Sequence, residues 1–162
     1  YRWTDVLVDW TYTGTGARSA ENVDIETYGL ELIVSRQLEK LEGIASYSYL
    51  HKNEDYGNSL VDGSFYALNF PEHRITLSFI YDPNDLLQIR VDNEWREQRA
   101  NSLRKGPDNS MYTHLAASYY PARIDDLEVF VAFDKPWDED FQDIPGTPGR
   151  GDQFSMGATL RW

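Results

Sequence analysis

Residues 153–162 read Gln-Phe-Ser-Met-Gly-Ala-Thr-Leu-Arg-Trp, and this closing stretch decides how the rest of the chain is read. Phe154, Met156, Ala158, Leu160 and Trp162 alternate with Ser155, Gly157, Thr159 and Arg161. A β-strand has a side-chain period of two, so this segment predicts one apolar face and one small or polar face. In a soluble sheet the apolar face would pack on a core. A chain whose last strand ends on a large aromatic also fits the closing strand of an outer-membrane β-barrel, with the apolar face toward lipid.

Composition leaves both readings open. The chain has 162 residues and a net charge of −12, enough for one domain, 1–162. It contains no Cys, which excludes a disulfide scaffold and a Cys-based zinc site. No stretch reaches the roughly 20 apolar residues of a membrane-spanning helix. The acidic balance argues against nucleic acid, which selects a basic footprint. The first residues, Tyr1-Arg2-Trp3, show neither an initiator Met nor a signal peptide, so processing or truncation upstream is expected.

About eight segments alternate, with almost no helical period. The first, 3–13, sets Val6, Val8, Trp10 and Tyr12 against Asp5, Leu7, Asp9 and Thr11. The second, 23–35, sets Tyr28, Leu30, Leu32 and Val34 against Thr27, Gly29, Glu31 and Ile33. The third, 41–50, carries Gly43, Ala45, Tyr47 and Tyr49, and the fourth, 73–82, carries Ile75, Leu77, Phe79 and Tyr81. In the fifth, 86–98, Leu87, Ile89, Val91 and Trp95 share a face, with Gln88, Arg90, Asp92, Glu94 and Arg96 on the other. An Arg facing lipid near the midplane costs about 2–4 kcal/mol, so the charged row must face a wet lumen or bulk water. The sixth, 111–120, is ambiguous; the seventh groups Leu127, Val129, Val131 and Phe133, blurred by Phe130; the eighth is the closing stretch.

The links between these segments carry a second signal. Short ones fall at 36–40, 83–85 and 121–126, and longer polar ones at 14–22, 51–71, 99–110 and 134–153. Short turns at one end and long loops at the other are the asymmetry of an outer-membrane barrel. Counting strands puts the C-terminus and the start of the first segment on the periplasmic side. Runs of roughly 10 residues match a tilted membrane strand better than the usual ~5–6 of globular sheets. Trp10, Tyr12, Tyr49, Tyr81, Trp95, Tyr119, Tyr120 and Trp162 lie near run ends, where aromatic girdles belong.

No catalytic constellation is present. His51, His73 and His114 lack metal-ligand spacing, and no Gly-x-Ser-x-Gly occurs. His51 and His73 are expected to flank an extracellular loop, and His114 to sit in the lumen or girdle. Gly14-Thr15-Gly16 reads as a flexible tip, since no helix follows to bind phosphate. The Asp138-Glu139-Asp140 cluster with Asp143 has oxygen ligands but not the spacing of a calcium loop, so no metal or other cofactor is expected. Asp55, Tyr56, Arg104, Lys105 and Trp137 are candidate ligand-capture positions in loops.

Residues 133–152 (FDKPWDEDFQDIPGTPGRGD), leading into the last strand, resemble the C-terminal end of TonB-dependent outer-membrane receptors. That family often shows Asn-Leu-Phe-Asp-x-x-Tyr here; Lys135 stands at the Asn, Trp137 at the Phe, Asp138 at the Asp and Phe141 at the Tyr. Residues 22–34 (NVDIETYGLELIV), 47–50 (YSYL) and 69–74 (NFPEHR) follow in the family's order. The resemblance implies an antiparallel transmembrane β-barrel, of which this chain is about eight up-and-down strands from a barrel of about 22. The plug domain and N-terminal strands would lie outside it. It further implies uptake of a scarce nutrient such as a siderophore or vitamin B12 across the outer membrane of a Gram-negative bacterium, without catalysis. The implied surroundings are the lipid bilayer, lipopolysaccharide, the barrel-assembly machinery, the plug, the TonB complex and a small-molecule ligand. Arg90, Asp92, Glu94 and Arg96 would face the lumen and meet the plug or neighbouring strands. Phe154, Met156, Ala158, Leu160 and Trp162 would form the assembly signal. Two alternatives stand beside it: a self-contained eight-stranded barrel with a structural or adhesive role, and a soluble β-sandwich or lipocalin-like binding module. In the first, β-strands at the two ends of the chain would pair; in a wall segment, the charged row would be left without partners in this chain.

Overall fold

The computed structural model describes every residue except 15–17, 102, 125, 138, 139, 148 and 162. It is all-β, with no helix among the described residues. The strands are β1 (Arg2–Tyr12), β2 (Ser19–Gln37), β3 (Leu41–Asp55), β4 (Gly63–Ser64), β5 (Pro71–Asn84), β6 (Leu87–Gln98), β7 (Asn109–Tyr119), β8 (Leu127–Pro136) and β9 (Gln153–Leu160). They form one antiparallel sheet in the order β4-β1-β2-β3-β5-β6-β7-β8-β9. Each segment expected from alternation is a strand; the two-residue β4 is an addition.

The sheet does not close on itself. A self-contained eight-stranded barrel would pair β1 with β9, but β1 pairs with β2 and β4, and β9 with β8. Two sheet edges therefore remain, and the small closed barrel is ruled out as the fold of this chain. Arg2 stands opposite Tyr28 of β2, and Thr11 opposite Ser19. Between Leu30 and Gln37, β2 pairs with β3 alone.

Register turns separate alternating runs into one surface. Gly43, Phe79, Val91, Leu115, Phe133 and Phe154 follow one another across six strands as cross-strand partners, and on the same side Val34 and Leu32 of β2 stand opposite Ala45 and Tyr47 of β3. The next row is Leu41, Tyr81, Ile89, Ala117, Val131 and Met156. Because partners in an antiparallel pair project to the same side, these rows make a continuous apolar face. Among the described residues nothing covers it: Phe79 is 43% exposed, Val131 44% and Met156 76%.

The links at one sheet end are tight. Leu38 N donates to Leu41 O at 2.8 Å, and Leu86 N to Asn84 Oδ1 at 2.9 Å, an Asx turn. At the turn before β8, Asp126 takes φ 59, a left-handed conformation that Asp tolerates. The opposite end holds the long links 56–70, 99–108 and 137–152. The first link is shorter than expected, 13–18, because β2 begins at Ser19 and pairs Thr11. There β1, β2 and β3 run on together past the apolar face, and the polar Ser19, Glu21 and Asn22 hid the start of β2 from a hydrophobic pattern. The chain's buried apolar cluster lies in this extension: Val23, Ile25 and Ala67, with Leu7 and Tyr56 against it.

Candidate functional site

The face opposite the apolar rows is built from strand pairs that place charge against charge. Arg90, Asp92, Glu94 and Arg96 project from β6 to this side, between Ser78 and Arg74 of β5 and His114 of β7. Arg90 Nε donates to Asp92 Oδ2 at 2.6 Å, and Ser78 Oγ donates to the same carboxylate. Arg74 Nε donates to Glu94 Oε2 at 2.9 Å. Arg96 lies 3.8 Å from Glu94 and is paired with Asp143 of the last long link. Further across, His114 Nδ1 donates to Asp134 Oδ1 at 2.6 Å, and Ser118 Oγ to Glu128 at 2.7 Å. The charged row thus has partners within this chain, contrary to the expectation that a wall segment leaves it unpaired. The reason is local: Ser78 and Arg74 of β5 project to the same side beside Asp92 and Glu94, and Asp143 of the last long link reaches Arg96.

The side is not purely polar. Ile33, Ile44, Ile80 and Phe130 lie on it, and the Phe130 ring covers Gly157. A Cβ at Gly157 would come within 2.8 Å of that ring, so the glycine makes room for it. The polar and apolar sides are also breached the other way. Asn93 sits among the apolar rows, accepts from Thr113 Oγ1 at 2.8 Å, and Thr113 in turn accepts from Trp137 Nε1 at 2.9 Å.

At the long-link end, three loops fold over the charged side and meet at two arginines. The Arg99 guanidinium holds both oxygens of Glu54, at 2.7 and 2.8 Å, a bidentate pairing. Arg104 has a buried guanidinium that binds the carbonyls of Arg99 and Gln142 and Asn69 Oδ1, each at 3.1 Å, and pairs with Asp108. Its place among the candidate ligand-capture residues is therefore corrected: it joins loops and presents no surface. Tyr56 is likewise engaged, donating to Asp9 at 3.2 Å, and burial pushes its phenol pKa up. Asp55 accepts from Gly57 N at 2.7 Å; Lys105 and Trp137 are exposed.

Asp9, which alternation marked only as a polar position, and Lys52, which fell in the expected link 51–71, are buried here at 3% and 4% exposure. Asp9 Oδ2 accepts from the amides of Ala67 at 2.8 Å and Tyr66 at 3.3 Å. Lys52 Nζ donates to Tyr66 O at 3.2 Å and lies over the Tyr66 ring. Their signal in the sequence is a charge on the same strand side as Val23, Ile25 and Leu7.

The predicted girdle divides. Tyr49, Tyr81, Trp95 and Tyr119 stand on the apolar side, and Tyr47 and Tyr49 stack with His73, whose Nδ1 is 2.9 Å from Tyr47 Oη. Trp10 lies farther along, opposite Ala20 and beyond Asp24. Tyr12 is partly covered, its ring edge-on to Phe65 and against Gly63. In the closing strand Phe154, Met156, Ala158 and Leu160 share the apolar side and are exposed. Trp162, and Asp138 and Glu139 of the acidic cluster, lie outside the described residues, as do Thr15 and Gly16 of the predicted tip. Asp143 is taken up by Arg96 and by Arg150 at 3.2 Å, and no metal-binding group occurs among the described residues.

No protein-family model, curated protein or solved structure matches this chain.

Proposed function

We propose that this chain is wall from the C-terminal part of a TonB-dependent outer-membrane receptor barrel, working in active uptake of a scarce small molecule. The observation that carries this reading is the apolar face: seven strands in register present it, and no element among the described residues covers it. In water such a surface favours association or aggregation, whereas in a bilayer it is the side that meets the acyl chains. The opposite side, with its ion pairs, then lines the lumen. The two free sheet edges suit a segment continued by other strands, because an unpaired backbone edge is excluded from hydrocarbon. Short links mark the periplasmic end and long ones the cell surface.

Within this reading the segment supplies wall and surface loops, and the work of transport comes from the TonB complex acting on a plug. The Arg90, Asp92, Glu94 and Arg96 row offers the plug paired charges, which exchange partners more readily than they bind a new ligand. The test is fractionation of the protein from a Gram-negative host. Recovery in the outer-membrane fraction, with release only by detergent and a heat-dependent shift in electrophoretic mobility, is the expected result. A folded, monomeric protein in the aqueous fraction without detergent overturns it and favours the binding module.

A further inference from the structure

The link from β3 to β5 does not extend away from the sheet. Residues 56–70 turn back across the charged side of β1, β2 and β3 and contribute β4, which pairs with the end of β1. From this placement we propose that residues 56–70 are a strap, latched shut by Asp9 and Lys52, whose release uncovers an apolar patch of Leu7, Val23 and Ile25.

The strap's attachments are mostly polar; the link 99–108 holds its C-terminal end through Arg104 on Asn69 and Arg99 N on Phe70 O, Thr13 and Gly14 bind Leu60 O and Asp62, and the buried ones come from the wall. Asp9 receives the Tyr56 hydroxyl and the Tyr66 and Ala67 amides, and Lys52 holds the Tyr66 carbonyl. Backbone bonds add Phe65 N to Trp10 O at 3.0 Å and Asp62 N to Tyr12 O at 3.1 Å. Its apolar anchors are few: Ala67 is fully buried and Phe70 nearly so, while Leu60 is 84% exposed and Tyr66 45%. A segment with little apolar burial and a few concentrated hydrogen bonds opens locally before its surroundings unfold. The wall beneath has its own ladders, β1 with β2 and β2 with β3, and keeps them when the strap lifts. A carboxylate accepting several donors in a buried site is the single group on which the closed position most depends. The inference does not rest on the sheet lying in a membrane, since the strap and its latch are contained in this chain.

Amide hydrogen exchange in the full chain tests it. Asp9→Asn keeps the side chain's size and removes its charge, and exchange at Tyr66 and Ala67 is expected to rise at least ~10-fold, with β6 to β9 unchanged. Thr11 and Ser64 form a non-hydrogen-bonded pair, the cross-strand spacing that a disulfide spans, and the chain has no other Cys. In Asp9→Asn carrying Thr11→Cys and Ser64→Cys, oxidation should restore protection at Tyr66 and Ala67, and reduction should remove it. Wild-type exchange at Tyr66 and Ala67 in Asp9→Asn overturns the proposal, as does a rise spread equally over β6 to β9. A variant that fails to fold is replaced by the Lys52→Met chain under the same readout, where unchanged exchange likewise overturns it.

Discussion

Two regions of this sheet use the same alternating pattern and end in opposite states. On the inner side of β1 to β3, modest residues such as Val23 and Ile25 are buried at 1% and 3% exposure, with Ala67 of the strap at 0% against them. On the outer side of β5 to β9, larger ones such as Phe79, Leu115 and Phe133 stay between 39% and 45% exposed. Hydrophobicity does not separate them. A strap of the chain covers the first region, and nothing among the described residues covers the second. Burial is thus a property of what lies over a face, and only the second region calls for an external partner.

The comparison breaks most sharply at Met156 and its neighbour Ser155, on opposite faces of β9. If lipid covers the apolar side, Met156→Arg should destabilise the assembled protein by about 2–4 kcal/mol, and Ser155→Arg by far less. Denaturant titration in detergent or vesicles measures the pair, and equal small effects would place the apolar side in water. Next comes Arg104→Met in the loop cap. Losing a buried guanidinium and its bonds to Asn69, Arg99 and Gln142 should cost about 2–3 kcal/mol, read as earlier proteolysis at 99–108 and 140–147 with the strands intact. Smaller again, Gly157→Ala should cost about 1–2 kcal/mol, because its Cβ would meet the Phe130 ring at 2.8 Å; Phe130→Leu in the same chain should recover most of it. Least of all, Arg90→Ala should change stability by under ~1 kcal/mol, since its pair with Asp92 is half exposed; a larger loss would mean that the row is desolvated by something outside this chain.

Much of the fold was legible in the sequence. Alternation in residues 73–82 and 86–98 gave β5 and β6 nearly to their ends, and it sorted Arg90, Asp92, Glu94 and Arg96 away from Leu87, Ile89 and Val91. The same reading passed over Asn93, because one Asn in an apolar row leaves the period unchanged; its bond to Thr113 is a cross-strand event. The lengths of β2 and β3 were underestimated because the missed residues 19–22 (Ser-Ala-Glu-Asn) and 51–55 (His-Lys-Asn-Glu-Asp) are mostly polar and mark strands only when a neighbouring strand is seen. The candidate site was legible in its charged row and not in its latch. Asp9 and Lys52 lie 43 positions apart, and no local pattern brings such residues together.

The sequence by itself determined that the chain is all-β, that its strands are long and amphipathic, and which side of each strand is apolar. Those properties are local, set by the two-residue period and by turn residues at the links. Tertiary structure alone decided that the sheet stays open and that residues 56–70 fold back over the wall. These depend on register and on contacts between distant segments, where a shift of one residue would exchange the two faces. Local pattern fixes what each face is made of; long-range pairing fixes what each face meets.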